Sequence, residues 1–545
     1  MKTFIFLTDI TLANGGSSLT LFLSGLNKNR MMAKLTLIAL HISFIAPVLS
    51  QPTIQWQKSL GGADFEEVYS IQQTTDLGYI MIGVSLSNNG DVSGNHGGVD
   101  FWVVKLTEAG TIQWKKAYGG SNNDWPFDIR QTTDSGYIMT GRTNSNNGDV
   151  SGNHGDRDFW VVKLSETGVI QWKKTFGGSG PDEAHSIQQT SDGGYIVAGG
   201  SASTDGQVSG NHGYDDFWVI KLTNVGEIQW QKSLGGSSSE FARHIIQTYE
   251  GGFIVVGETM SNNGDVSGSH GNPDFWVVKL DENGIIEWQK ALGGTAIDVA
   301  RSICQLSDSS YVVAGYTASD VPGHNGMFDC WVVKLSATGE VLWQKAYGGS
   351  DNDQAFDIQI KNNGGFILIG DTYSVDGDVL ENDGGLDIWV LNLNEAGEII
   401  WQKTLGGTMA EGGTCIQQTK DNGYVLAGYT WSNDGDVSEN HGDSDFWVVK
   451  LSQESSKTEE AQILPLQIFP NPVHQSFTLK FPAEESTMTV IITNLLGREL
   501  SHQIITNNED TTNELNIATL PNGLYLLTAI SPSGKVFFGK VLKQE

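Results

Sequence analysis

Cysteine is nearly absent: Cys304, Cys330 and Cys415 are the three in a chain of 545 residues. An odd, sparse set is no disulfide framework, so stability has to come from core burial. Basic residues are scarce too. Against 63 Asp and Glu there are 32 Lys and Arg, and the net charge is −31. That balance excludes nucleic acid as a partner, since phosphate binding needs a basic surface. It also argues against docking on anionic lipid. It favours solubility and leaves room for divalent cations. Charged residues make up only 17%, yet the apolar fraction is too large for a disordered chain. Helical periodicity is missing.

Long apolar runs are missing as well, with one exception. Residues 32–50 read MAKLTLIALHISFIAPVLS. Lys34 gives a short basic start, an apolar run follows, and Val48 and Ser50 stand at the −3 and −1 positions of a cleavage site before Gln51. The pattern predicts a signal peptide over 31–50. The alternative is an N-terminal membrane anchor, although the run is shorter than the roughly 20 residues a helical span needs. Residues 1–30 read as a mis-called extension ahead of a true start at Met31 or Met32.

What the chain has in abundance is a repeat. Tryptophan in an I-Q-W-Q-K motif recurs at 56, 114, 172, 230, 288, 343 and 401, a spacing of 58 residues with one step of 55. A second tryptophan, in D-F-W-V-V-K-L, recurs at 102, 160, 218, 276, 331, 389 and 447. Each copy holds four strand candidates, such as Ile54–Lys58, Ser70–Thr74, Gly194–Gly199 and Phe101–Leu106, separated by turn signals such as Thr75-Asp76-Leu77-Gly78. In F-W-V-V-K-L both faces are apolar, which suits a sheet sandwiched between neighbouring sheets. The expected fold is all-β, a seven-bladed β-propeller over 51–451 built from repeats of about 58 residues. The array opens with an I-Q-W strand and closes with an F-W strand, so Ile54–Lys58 is positioned to complete the last blade. An open β-solenoid is the alternative. The fourteen repeat tryptophans read as core.

Repeated polar positions suggest architecture, because catalysis happens once per molecule. One acid recurs ten residues after the I-Q-W tryptophan (Glu66, Asp124, Asp182, Glu240, Asp298, Asp353, Glu411) and another beside F-W (Asp100, Asp158, Asp216, Asp274, Asp329, Asp387, Asp445). A four-residue turn would put Lys116 opposite Phe101 and diagonal to Asp100, an expected ion pair. The S-N-N-G-D-V-S-G-N-H-G loop carries Asp91, Asp149, Asp265, Asp378 and Asp436, and His96, His154, His212, His270 and His441. Oxygen-rich loops of this kind can hold calcium, so the five aspartates are candidate ligands. The spacing does not match an EF-hand, however, and histidines one to a loop do not make a zinc site. Plain hydrogen-bonded loops are the alternative.

Specificity is expected where the repeat breaks. Trp125 and Trp431 fall outside the repeat columns and are candidate ligand platforms. His185, His244, Arg130 and Arg142 are also singular, and the fifth copy has a shortened loop, Ser319–Met327. No Ser-His-Asp set, phosphate loop or isolated carboxylate pair stands out.

After Leu451 the texture changes. Residues 452–462 are a polar linker by composition. Residues 463–545 carry Phe469-Pro470-Asn471-Pro472, the turn Asn494-Leu495-Leu496-Gly497-Arg498, Leu520-Pro521-Asn522-Gly523-Leu524-Tyr525 and Gly539-Lys540-Val541-Leu542. By pattern this is a small Ig-like β-sandwich of roughly seven short strands. The tail resembles the type A C-terminal sorting domain of the type IX (Por) secretion system of Bacteroidetes-type bacteria, with Pro470, Asn471, Pro472, Gly497, Pro521, Gly523, Tyr525 and Lys540 as the matching motif residues. The resemblance implies passage by signal peptide through the periplasm, then outer-membrane translocation by the type IX machinery. It also implies removal of the tail and attachment to surface lipopolysaccharide. The repeats resemble uncharacterised propeller-like repeats joined to such tails. The expected function is a non-enzymatic binding or adhesion module, secreted or on the outer cell surface, with a glycan or protein ligand. The alternatives are an extracellular polysaccharide hydrolase or lyase, or a structural surface-layer component.

Overall fold

A computed structural model describes residues 49–382, 385–456, 464–480, 487–494, 499–506, 513–530 and 536–544. The extension 1–30, the signal-peptide residues 31–48, linker residues 457–462 and Gly497 lie outside the described residues. The chain divides into two units, 49–455 and the tail from Ser456.

Among the described residues there is no helix. The repeat unit is propeller-like: seven antiparallel sheets, each of four strands. In the third, Asp182–Gln189, Tyr195–Ser201, Asp216–Leu222 and Ile228–Leu234 lie side by side in that order. The last sheet takes its fourth strand from the start of the array: Ile54–Leu60 pairs antiparallel with Asp445–Leu451.

The F-W strands form because they can be buried on both faces. All seven residues of Asp216–Leu222 are buried. Where this strand carries phenylalanine, which it does in all copies but those with Cys330 and Ile388, the ring packs on the tryptophan of the next sheet, Phe101 on Trp160 at 4.6 Å, Phe159 on Trp218 at 4.7 Å and Phe446 on Trp102 at 4.6 Å. The last of these contacts joins the seventh sheet to the first. The I-Q-W tryptophans differ from the expectation. On the outer strand they are half-buried, Trp401 excepted, because that strand has a neighbour on one side only. Trp56 meets Tyr79 edge-on at 5.7 Å, and Trp114 meets Tyr137 at 5.9 Å.

The expected Lys116–Asp100 pair is not formed. The turn after Leu106 holds five residues and a bulge follows it, so Lys116 stands opposite Val103 and Tyr118 opposite Phe101. Lys116 Nζ donates instead to the carbonyls of Thr167 and Gly168, at 2.9 and 2.8 Å. The lysine that does pair is the one in V-V-K-L: Lys105 is buried and its Nζ is 3.0 Å from the turn carboxylate of Asp76.

The first strand of each sheet is an edge strand whose neighbours are the first strands of adjacent sheets. Its outward N–H groups need acceptors, since an unpaired buried donor is costly. The Q-Q pair of S-I-Q-Q-T supplies them. Gln188 Oε1 accepts from Gln247 N at 2.7 Å, and Gln72 Oε1 from Gln131 N at 2.6 Å. The following glutamine reaches the other way: Gln247 Oε1 accepts from Ser191 N at 2.8 Å. The same stitches join the first sheet to the last, Gln73 N to Gln417 Oε1 at 2.6 Å and Lys420 N to Gln73 Oε1 at 2.9 Å.

The tail is a two-sheet sandwich. The larger sheet orders Leu464–Pro465, Val536–Lys543, Gly523–Ile530, Thr487–Asn494 and Glu499–Thr506; the smaller holds Gln467–Phe469, Ser476–Lys480 and Asn513–Asn516. Val473, Phe477, Leu479, Val490, Leu527 and Val541 close one core between them.

Gln188→Ala should leave the Gln247 N–H without its acceptor. Chemical denaturation of the full chain should show the repeat unit destabilised by about 1–3 kcal/mol; an unchanged midpoint would show that the stitch contributes nothing.

Candidate functional site

Each inner strand carries one β-bulge at the same place. In the third copy Ala184 pairs with Gly199 and Ser186 with Ala198, so His185 has no partner. A bulge bends the strand and re-aims the extra side chain. It also explains the glycine that ends G-Y-I-V-A-G: a Cβ at Gly199 would run into the carbonyl oxygen of Glu183. The bulged residues are Tyr69, Phe127, His185, Arg243, Arg301, Phe356 and Thr414. All seven line one cavity of about 130 Å³, together with Asp128, Arg130, His244, Asp357 and Cys415 among others. Two residues further along, every copy has isoleucine, from Ile71 to Ile416. The repeat is kept at this core position and varies at the bulge that lines the cavity.

One layer of the lining is internally satisfied. Asp128 Oδ1 receives Arg130 Nε and Ser70 Oγ, both at 3.0 Å, and its Oδ2 receives Ile187 N at 3.0 Å. Asp357 Oδ1 receives Ser302 Oγ at 2.9 Å, and Oδ2 receives Ile416 N at 3.2 Å. His244 Nδ1 accepts from Ile303 N at 3.2 Å, which assigns the ring proton to Nε2. Burial, then the Arg130 charge, pushes His244 down to about 4, so it is neutral at pH 7. With Ser302 donating to a carboxylate and His244 accepting a backbone proton, this layer holds no activated nucleophile. It acts like the glutamines, feeding acceptors to the next strand. Burial pushes the Cys415 thiol up to about 12, which leaves it protonated.

The other layer is rich in arginine and aromatic rings. Glu183 accepts from Arg142 Nη1 at 2.6 Å, and Arg157 Nε and His185 Nε2 each stand 3.3 Å from its carboxylate. Burial opposes its ionisation, but His185 and Arg142 hold Glu183 well below the usual carboxylate range. Arg243 grips Glu258 with two bonds, at 2.5 and 3.1 Å. Arg301 stands over the rings of Tyr316 and Phe356, 5.5 Å from each centroid. Burial, then the charge of Asp353, pushes Asp371 up to about 8 against the pull of Arg301.

The sequence candidates are only partly brought together. Arg130, His185 and His244 line the cavity. Trp125 does not; it is half-buried beside it, 5.4 Å under Arg142 and 6.5 Å from Tyr69. Trp431 lies elsewhere, against Phe65 at 6.4 Å. The five loop aspartates stay one to a loop. The backbone N–H of Asp91, Asp149, Asp265, Asp378 and Asp436 donates to the carbonyl of Gly61, Gly119, Gly235, Gly348 and Gly406 respectively, fastening each loop. Asp91 also takes Lys115 Nζ at 2.7 Å. Among the described residues no group of three or more His, Cys, Asp or Glu is placed to hold a metal ion. The loop histidines cap buried carboxylates, His96 Nδ1 on Asp100 at 2.8 Å and His212 Nδ1 on Asp216 at 2.7 Å. The first repeated acid does similar work: Gly62 N donates to Glu66 at 2.7 Å, and Gly178 N to Asp182 at 2.9 Å. Sequence reading missed Arg243, Arg301, Tyr69 and Phe356. Aligning the seven copies at the third residue after the first acid would have exposed the variable column.

In the tail, the candidate motif closes on itself. Asn471 Nδ2 donates to Lys540 O at 2.6 Å, and Leu542 N donates to Asn471 Oδ1 at 2.9 Å. The F-P-N-P segment is thereby pinned to the last strand. Tyr525 OH donates to Pro521 O at 2.5 Å, bracing L-P-N-G-L-Y. Residues 467–544 match the family model of the secretion system C-terminal sorting domain. The tail is a type IX sorting domain. The sorting domain implies contact with the type IX secretion machinery and export to the cell surface or the extracellular space.

Part of the chain is similar to part of the regulatory protein FlaEY of Caulobacter vibrioides, 24% identical over 196 residues. The match covers 32% of this chain and only 20% of that protein. Solved structures with some likeness include a puromycin hydrolase (10% identity, TM-score 0.41, 90% of this chain and 63% of that one). The polysaccharide lyase Uly1 is another (9% identity, TM-score 0.40, 75% and 95%). A DUF4221-family protein from Bacteroides vulgatus is a third (9% identity, TM-score 0.32, 74% and 98%). At these values none carries an argument about the activity of this chain.

Asp371, outside the cavity lining, gives the repeat unit a measurable pH signature. Its carboxyl is raised from 3.8 to about 8 in the folded protein, so the folded state holds a proton that the unfolded chain releases. Stability should therefore decline as pH rises from about 4 to 8 and lose this dependence above that. Asp371→Asn should flatten the decline in thermal-melt series; a parallel decline in the variant would assign it to other groups.

Proposed function

We propose that the protein is an exported, non-enzymatic binding module whose ligand enters the cavity lined by the seven bulged residues. The observation that carries this reading is the column itself. Two residues further along every copy has isoleucine, yet the bulge offers Tyr, Phe, His, Arg, Arg, Phe and Thr, all seven lining one cavity. Symmetric architecture makes no demand for that variety, whereas a specific ligand does. The seven sheets are read here as blades of a closed propeller, supported by the strand exchange of Ile54–Leu60 and the glutamine stitches between first and last sheets. The tail sandwich is read as an Ig-like export module, cleaved after use, with attachment to surface lipopolysaccharide as its outcome. A signal peptide over 31–50 would supply the first membrane crossing.

A polysaccharide hydrolase or lyase is the rival. Its support is that carboxyls of the unit are pushed in opposite directions, Asp371 up and Glu183 down, as an acid and a base would be, although neither lines the cavity. Against it, Glu183 and Glu258 are already held by arginines.

Removing residues 467–544 should leave the protein inside cells of a host that has the type IX system. Secretion at the level of the full chain would disprove the role of the tail. For the cavity, the full chain should bind a defined class on a glycan array, and Thr414→Trp, which fills the cavity, should abolish that binding while the circular-dichroism spectrum stays native. Binding untouched by Thr414→Trp would move the site elsewhere. Loss of binding in EDTA, with recovery in calcium, would promote the Asp91-type loops to metal sites.

A further inference from the structure

Arg243 and Arg301 are twins. They occupy the bulge of consecutive copies, and both line the cavity. Their surroundings differ at one place. On the second strand of the fourth sheet, Glu258 stands opposite Phe241. On the second strand of the fifth sheet, the corresponding residue is Tyr316, opposite Val299. Arg243 thus has a carboxylate built in, held by two bonds. Arg301 has a phenol, with Nη2 to Tyr316 OH at 3.3 Å, and its Nε is buried without a hydrogen-bond partner.

The contrast extends to every other arginine in the described residues. Arg130 is paired with Asp128, Arg142 and Arg157 with Glu183, and Arg243 with Glu258. Arg301 alone, among the described residues, has no carboxylate within ion-pair distance. In a chain of net charge −31, acids are not in short supply. The nearby Asp371 is no substitute, because burial keeps it protonated at neutral pH. A guanidinium held 5.5 Å from the centres of two rings and lining a cavity is suited to a planar carboxylate. A free cation of this kind is a standing loss of stability that a ligand would relieve.

We infer that the cavity receives the uronate end of an acidic saccharide, its carboxylate giving Arg301 from the cavity side the charged acceptor that Glu258 gives Arg243 from within the sheet. The inference rests on the cavity being the binding site. Besides Arg301, the lining offers the rings of Tyr69 and Phe127, faces on which a pyranose can stack. A volume of about 130 Å³ is room for roughly four waters' share of space. That suits a carboxylate and the edge of one ring, so a chain end enters rather than a chain interior.

Isothermal titration of the full chain with D-glucuronate, D-galacturonate, D-glucose, D-galactose and acetate tests this. A uronate should bind at least about tenfold tighter than its neutral counterpart, the scale of one charge-assisted hydrogen bond, and tighter than acetate. Arg301→Gln should erase the preference, and Arg301→Lys should restore part of it, with melting temperatures near that of the parent chain. Equal binding of acidic and neutral sugars, or a preference that survives Arg301→Gln, overturns the inference. So does acetate binding as tightly as the uronates, or no binding by any probe. In each case array binding that is still lost in Thr414→Trp leaves the cavity standing as the site; array binding that ignores Thr414→Trp sinks the cavity itself.

Discussion

The repeat unit depends on finding acceptors for the backbone donors of its inner strands. Seven edge strands face one another at close range, each with a row of N–H groups turned away from its own sheet. An unpaired sheet edge invites the wrong partner. Side chains of the adjacent copy supply the acceptors: glutamine carboxamides toward the end of the strand, and Asp128, Ser186, His244 and Asp357 midway along it. Sheets that share no ladder are joined in this way, and the joints fix which residue types each position of the inner strand can hold.

The bulge is the exception that this constraint leaves open. Its residue takes no part in the ladder, so its side chain is released from structural duty and turned into the cavity. Charge is handled by the same logic. Most of the repeated acids are anchors: the first set receives loop glycine N–H groups, and the second receives histidine caps. The lysine of V-V-K-L neutralises the turn aspartate, as Lys221 does Asp192 at 2.8 Å. Charges bound up in this way do not advertise a function. The informative groups are the ones that break the pattern, and seven of them, one from each bulge, line one cavity.

Several features were legible because they are local and repeated. Period, strand content and the exchange partner of Ile54 could be read from motif order, and the sorting tail from four short motifs in sequence. The Lys116 pairing was not legible, because one extra turn residue and one bulge shift a register, and neither leaves a mark in composition. The half-burial of the outer tryptophans was also hidden, since Trp114 and Trp160 look alike in a pattern but stand on strands with different numbers of neighbours.

By itself the sequence determined the repeat, the all-β character, the export tail and the lack of a disulfide framework. Those follow from periodicity and composition, which each residue carries regardless of its neighbours. Only the tertiary structure decided that Tyr69, His185, Arg243 and Arg301 face one cavity, and that Arg301 lacks the carboxylate its twin has. Residues 58 apart meet only when successive sheets turn about a common centre. Whether a charge is satisfied depends on what the second strand brings opposite it, a fact of register that no linear motif records.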